Sequence, residues 1–206
     1  MDTQGLIVVA IAVVSGYLIG AIPWGVVVAR VVGGPDPRTI GSGRTGGANV
    51  MRAIGPRAAA ITGILDVLKG VAAVLIAILL GGDGVAQVLA ALAAILGHSR
   101  SPFINFGGGR GVAPGFGGLI MIQPIGVLIV VPVFIVVLVV SRYSSLASLT
   151  ASAAAGVAIF AIVLVSDQAA IYLAYAVAAT GMIWLFHIDN IRRLLAGQER
   201  KVSLRR

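Results

Sequence analysis

The sequence predicts an all-α integral membrane protein with seven transmembrane segments, its N-terminus outside and its C-terminus in the cytoplasm. Three observations predict this. Hydrophobic residues make up 59% of the 206 residues and charged residues only 11%, with a mean hydropathy of +1.06; a soluble domain carries about 25% charged residues. The apolar residues fall into long runs, several near the ~20 residues that cross a bilayer as a helix. Every Lys and Arg outside those runs lies in alternate connections.

The first run covers residues 6–29 and stops at Arg30, and a basic loop follows over 30–57. The second covers 58–80 and ends in the tight turn Gly81-Gly82-Asp83-Gly84. The third, 85–96, is short and meets Gly97-His98, and a polar glycine-rich loop extends over 98–111. The fourth, 112–122, is short and interrupted by Pro114, Gly115, Gly117 and Gly118. Gln123-Pro124 separates it from the fifth, 125–140. A small polar loop, Ser141-Arg142-Tyr143-Ser144-Ser145, leads to the sixth at 146–165. Ser166-Asp167-Gln168 turns the chain into the seventh, 169–186, and a basic tail begins at His187. One bundle, a single domain over 1–206, is the expected organisation.

One set of connections holds Asp2, Asp83, Gln123 and Asp167 and no cation. The other holds residues 30–57, Arg100, Arg110, Arg142 and the tail from Arg192 to Arg206. The basic side belongs in the cytoplasm. The net charge of +8 then reflects that bias and attraction to anionic headgroups, not nucleic acid. The start of the chain lacks the basic n-region of a cleaved signal. With no cysteine, two histidines and seven acids, disulfides and Cys metal sites are excluded. No metal or cofactor is expected.

Chemistry is therefore sought in the long cytoplasmic connections. In the first, Gly41-Ser42-Gly43-Arg44-Thr45-Gly46 matches the spacing of a dinucleotide fingerprint. No strand precedes it and Asp66 falls inside an apolar run, so the context rejects that reading. Two readings stay open: a flexible link, or an anion-binding loop whose backbone N–H groups converge. A plain link has no need of Ser42, Thr45 and Asn49 spaced among glycines between Arg38 and Arg52. Asp66 and Lys69 lie three apart and can pair on one helix face. The pair is either self-neutralising or a source of charge for an anion pocket. His98 and Arg110 flank Gly107-Gly108-Gly109; His98 is a candidate base or an interfacial cap. Ser145 and Ser148 are N-cap residues or site residues. His187 and Asn190, ahead of Arg192 and Arg193, are a headgroup anchor or part of a site. The four clusters that lie at connections all fall on the same side of the predicted bundle.

Taken together, these pieces resemble the bacterial membrane acyltransferases that acylate glycerol 3-phosphate from acyl phosphate. The family form Gly-Ser-Gly-Asn-x-Gly-Ala-Thr-Asn-x-x-Arg corresponds to Gly41 through Arg52, preceded here by Asp36-Pro37-Arg38. Asp-x-x-Lys-Gly is present as Asp66-Val67-Leu68-Lys69-Gly70. Gly-Gly-Lys-Gly-Val-Ala-Thr appears as Gly108-Gly109-Arg110-Gly111-Val112-Ala113-Pro114, after Gly97-His98. Ser145-Leu146-Ala147-Ser148 and His187-Ile188-Asp189-Asn190-Ile191-Arg192-Arg193-Leu194 complete the series. This chain departs at Arg44 for Asn, Gly47-Ala48 for Ala-Thr, Arg110 for Lys, Pro114 for Thr, Arg100-Ser101 for Phe-Pro and Ile188 for Arg. Lys-to-Arg keeps the charge but replaces a point donor with a planar fork.

The resemblance implies transfer of an acyl group from acyl phosphate to the 1-hydroxyl of glycerol 3-phosphate, giving lysophosphatidic acid and phosphate for phospholipid synthesis. It implies a bacterial cytoplasmic-membrane protein in contact with lipid, its active site facing the cytoplasm, with no cofactor. By the same resemblance Ser42, His98, Arg110 and His187 are catalytic. Arg38, Gly41, Gly43, Thr45, Asn49, Arg52, Lys69, Gly108, Gly109, Ser145 and Asn190 bind substrate. The rival readings are a small organic-phosphate transporter and a family member with altered substrates or no activity. Against a transporter, the chain shows no internal repeat, and its polar groups lie on one side instead of around a midplane.

Overall fold

The computed structural model describes residues 1–166 and 170–202. Ten α-helices occur among them. Chain order runs α1 (Thr3–Ala21), α2 (Trp24–Val31), α3 (Gly47–Ala53), α4 (Pro56–Leu79), α5 (Gly84–Ser99), α6 (Val112–Ile122), α7 (Pro124–Ser141), α8 (Ser144–Val165), α9 (Ile171–Phe186) and α10 (Ile188–Leu195). Two 3-10 turns, Pro37–Thr39 and Pro102–Ile104, sit in the long connections. Asp167 and Gln168 of the expected sixth-to-seventh turn lie outside the described residues, as does the end of the basic tail.

The first apolar run is not one helix. Pro23 has no N–H and its ring clashes with the preceding turn, so α1 stops at Ala21 and α2 starts at Trp24. Carbonyls freed at membrane depth need new donors, and both find one. Ser101 Oγ donates to the Ala21 carbonyl at 2.6 Å and Lys69 Nζ to the Ile22 carbonyl at 3.0 Å. The run over 112–122 coincides with α6, and the others match helices to within a few residues at each end. The polar loop before α8 is shorter than expected, because Ser144 and Ser145 already belong to the helix. Helices α3 and α10, in stretches read as loop and tail, were not anticipated.

Small residues set the packing. A Cβ on Gly16 would lie 2.6 Å from the Ala90 carbonyl oxygen, and one on Gly20 or Gly97 would likewise strike the facing helix, so α1 and α5 meet backbone to backbone. Gly70 and Gly117 do the same between α4 and α6, against Pro114 and Val67. Close approach of this kind drives helix association in lipid, where burial of apolar surface contributes little. Larger side chains fill the centre: Val74, Val88, Ile95, Leu119, Ile159 and Tyr175, from α4, α5, α6, α8 and α9. Tyr175 satisfies its buried hydroxyl by donating to the Gly115 carbonyl at 2.5 Å.

The outer surface is apolar, with Leu128 74%, Val140 80% and Val165 84% exposed, an exterior suited to lipid. Among the described residues, four stretches are long and apolar enough to cross a membrane: Thr3–Val31 across the break, Pro56–Leu79, Pro124–Ser141 and Ser144–Val165. A fifth is α9 with α10 if that pair, bent by 63°, is counted as one span. Helices α5 and α6 are apolar but shorter, at 16 and 11 residues. The chain is an integral membrane protein.

Candidate active site

The first long connection is held in shape by one side chain. Asn49, 2% exposed, accepts from the Ser42 N–H at 3.0 Å. Its amide nitrogen donates to the carbonyls of Pro37, Ile40 and Arg44 at 2.7, 3.0 and 2.9 Å. The turn this creates needs Gly41 at φ 59°, where a Cβ would also lie 2.5 Å from Asn49 Oδ1. Arg38 is committed nearby to Asp36, with Nη2 to Oδ2 at 2.6 Å, and that hydrogen bond holds the Asp36 carboxyl below its ordinary range. Ser42 Oγ is buried and has no partner among the described residues.

The second connection folds over the end of α5. The Gly109 N–H donates to the His98 carbonyl at 3.0 Å, and a Cβ on Gly109 would collide with the His98 ring. On its other side the His98 Nδ1 lies 3.5 Å from Asp66 Oδ1, and the Lys69 Nζ lies 2.9 Å from the same oxygen. The next residue, Arg110, has a buried Nε without a partner among the described residues. Gly111 caps α6 with no side-chain bond. Pro114 is tolerated there, since the first-turn N–H groups have no partner within the helix.

Ser145 on α8 and His187 between α9 and α10 complete the ring. His187 is 2% exposed, and its Nδ1 lies 2.8 Å from the Ile183 carbonyl. A carbonyl only accepts, so Nδ1 carries the hydrogen and Nε2 the lone pair. Burial, opposed by that bond and aided by the Arg110 charge, lowers the His187 pKa to about 4, so the ring is neutral at pH 7. Burial, then the Arg44 cation, lowers the Arg110 pKa to about 10; Arg193 and Arg52 add to this and Glu199 opposes it. Arg52 is lowered by burial and by Arg200.

The cluster stands at the mouth of a cavity of about 470 Å³. Its polar lining includes Arg44, Asp66, His98, Arg110, Ser145 and His187. Most of the rest is apolar, with Phe116, Leu119, Val130, Phe134, Ile159 and Ala176 from the interiors of α6, α7, α8 and α9, and with Ser152, Tyr175 and Thr180 among them. A set of cations opening onto an apolar slot matches an amphiphilic anion.

The family profile described as "Glycerol-3-phosphate acyltransferase" matches residues 10–197. The chain belongs to the glycerol-3-phosphate acyltransferase family. Among curated relatives, glycerol-3-phosphate acyltransferase 3 of Dehalococcoides mccartyi is 40% identical over 205 residues, covering 94% of this chain and 95% of the relative. The glycerol-3-phosphate acyltransferase of Rubrobacter xylanophilus is 42% identical over 189 residues, covering 92% of each. The fold is that of PlsY, an integral membrane glycerol 3-phosphate acyltransferase. Its glycerol 3-phosphate form superposes with a TM-score of 0.86 at 34% identity, over 95% of this chain and 96% of that one. Its lysophosphatidic acid form gives 0.84 at 33%, over 95% of each.

In this acyltransferase the expected site residues divide. Arg110, His98, His187, Gly109, Asn49 and Ser145 all line the cavity. Ser42, Gly41, Gly43, Thr45, Arg52, Gly108 and Asn190 lie in the same loops and helix ends. Three expected binding residues already have protein partners in this structure. Arg38 is paired in place with Asp36. Asn49 spends its amide on the loop backbone, so it shapes the turn. Lys69 is not among the cavity-lining residues and is taken by Asp66 and the Ile22 carbonyl. The serines do not cap α8: its N-cap is Tyr143, without a side-chain bond, and Ser148 Oγ donates to the Ser144 carbonyl at 2.8 Å. The residues missed were Arg44, visible only as a departure from the family pattern but lining the cavity, and Arg193 and Glu199 beside it.

Proposed function

We propose that this chain transfers an acyl group from acyl phosphate to the 1-hydroxyl of glycerol 3-phosphate, releasing lysophosphatidic acid and phosphate. The observation that carries the reading is the pair Arg44 and Arg110, which line the apolar cavity, with Arg52 near enough to act on the Arg110 charge. Both substrates bear phosphate, and one is a lipid. The acyl chain lies among α6, α7, α8 and α9, in a space within the ~300–1,000 Å³ usual for small-molecule sites. Arg44, Arg52, Arg110 and the free Ser42 hydroxyl hold phosphate oxygens. His187 Nε2, Ser145 and Asn190 orient the glycerol hydroxyls. His98, locked between Asp66 and Gly109, supports the Arg110 loop from behind.

In the reaction, the 1-hydroxyl oxygen bonds to the acyl carbonyl carbon and the bond from that carbon to the phosphate oxygen breaks. The hydroxyl proton passes to the departing phosphate, with His187 Nε2 accepting its hydrogen bond on the way. Donors fixed where negative charge grows on the carbonyl oxygen lower the barrier most. Purified protein in detergent, given acyl phosphate and labelled glycerol 3-phosphate, should form labelled lysophosphatidic acid. No product, together with glycerol phosphate uptake by proteoliposomes, would favour a transporter and defeat the enzyme reading.

The chain acts as one unit of seven spans in a bacterial cytoplasmic membrane, with the site facing the cytoplasm. Supporting this, the basic residues cluster at the connections that form the cavity mouth. The absence of cysteine allows a direct check. A membrane-impermeant thiol reagent applied to intact cells should label the Gln4→Cys variant and spare Ala196→Cys. The reverse pattern would invert the topology.

A further inference from the structure

Glu199 lies beyond the residues matched by the family profile, on the tail that follows α10. Gly197, at φ 66°, turns the tail back toward α8. The Val202 N–H then donates to the Arg142 carbonyl at 2.8 Å, and the Lys201 ammonium sits 5.5 Å from the centre of the Tyr143 ring. This return buries the Glu199 side chain to 5% exposure. Its Oε1 accepts from Ser145 Oγ at 2.9 Å and from Asn190 Nδ2 at 2.7 Å, and its Oε2 accepts from Arg193 Nε at 2.8 Å. Burial alone would raise its pKa. The bonds from Asn190, Arg193 and Ser145 outweigh that and keep the carboxyl below its ordinary range, so it stays ionised.

An ionised carboxylate only accepts. Ser145 therefore spends its one hydrogen on Glu199, and its oxygen faces any other group as a lone-pair donor. Asn190 is held with its NH2 toward the carboxylate. Its Oδ1 is buried, in a residue 3% exposed, with no partner among the described residues. His187, one turn before, presents Nε2 in the same sense, because Nδ1–H is held by the Ile183 carbonyl. Three adjacent groups thus accept, while Arg44, Arg52 and Arg110 donate.

We infer that Glu199 is a positioning residue that fixes the hydrogen-bond polarity of Ser145 and Asn190, so that this half of the site reads the hydroxyl groups of the acceptor. The inference rests on the acyl-transfer reading above. Arginines recognise the phosphate of any alkyl phosphate; a ring of acceptors distinguishes a diol phosphate from one with fewer hydroxyls. Sites built around a substrate hydroxyl reject the analogue that lacks it, because their own polar groups are left unpaired.

The test compares glycerol 3-phosphate with 3-hydroxypropyl phosphate, which lacks only the 2-hydroxyl, through the ratio of their kcat/KM values. The wild type should favour glycerol 3-phosphate clearly. Glu199→Ala should shrink the ratio by about tenfold or more, the size of one lost hydrogen bond, with KM for acyl phosphate unchanged. Glu199→Gln keeps the shape but also donates, so it no longer forbids a flipped Asn190; its ratio should fall too. This variant decides the matter if the alanine variant does not fold. Lys201→Ala removes the ammonium over the Tyr143 ring but keeps the Val202 pin and the Glu199 bonds, so it should keep the wild-type ratio. A wild-type ratio near one, or an unchanged ratio in the glutamine variant, overturns the inference. Equal loss in Lys201→Ala would reduce Glu199 to a tail clasp and overturn it as well. Failure of the wild type to make lysophosphatidic acid would instead count against the acyl-transfer reading.

Discussion

Arg110→Ala is expected to cut acyl transfer by about 10²–10³-fold, the usual cost of removing one preorganised donor from a site of charge development. The variant should remain folded, with a melting temperature equal to or above that of the wild type. Both halves follow from the same crowding. Burial and the neighbouring arginines depress the Arg110 pKa to about 10, a shift on the order of 3 kcal/mol against its charged form. That cost is carried by the free protein and relieved when an anion binds, so deleting the cation removes function and self-repulsion together. The sign for pH is fixed as well. Arg110 is charged below about pH 10 and loses its proton above it, so KM for glycerol 3-phosphate should climb as pH approaches 10. Arg110→Lys keeps a charge without the planar fork and should retain activity that alanine loses. Near-normal turnover in Arg110→Ala would move the second loop away from the chemistry.

Lys69→Met should have the largest effect on stability, lowering it by about 3–5 kcal/mol. The Lys69 and Asp66 side chains are 2% and 3% exposed and 2.9 Å apart, so removing the ammonium leaves a carboxylate buried beside His98. Pairing Lys69→Met with Asp66→Asn should recover much of the loss, because the cost comes from the unmatched charge. Thermal unfolding in detergent reads both. Below its lowered melting temperature the single variant should keep its KM for glycerol 3-phosphate, which separates a structural lysine from one that holds substrate. A raised KM with unchanged melting would return Lys69 to the anion site.

The helices were legible because lipid imposes a simple rule: apolar runs of spanning length, with cations kept to one side. The i,i+3 spacing of Asp66 and Lys69 predicted their pairing, and the glycines around Arg110 predicted a tight loop. What escaped was decided by tertiary partners. Asn49 has the composition of a phosphate ligand, yet four of its loop neighbours use it first. Arg38 was read toward the site but has a carboxylate two residues away. Helix α3 was hidden because Gly46-Gly47 reads as loop, although Gly46 only serves as its N-cap. Glu199 gave no local signal, since its partners lie on α8 and α10 and meet it only after the tail folds back.

The break at Pro23 has a consequence for how a cation is housed at membrane depth. A continuous helix would keep the Ile22 carbonyl for its own backbone, and the Lys69 ammonium would lose that acceptor. A chain without Lys69 would leave that carbonyl only the Trp24 N–H, which donates to it at 3.0 Å. The break before α2 and the Lys69 ammonium on α4 thus meet at the Ile22 carbonyl, 3.0 Å from Nζ. The proline that looks like a flaw in the first helix frees the acceptor on which the charge that looks misplaced in the fourth comes to rest.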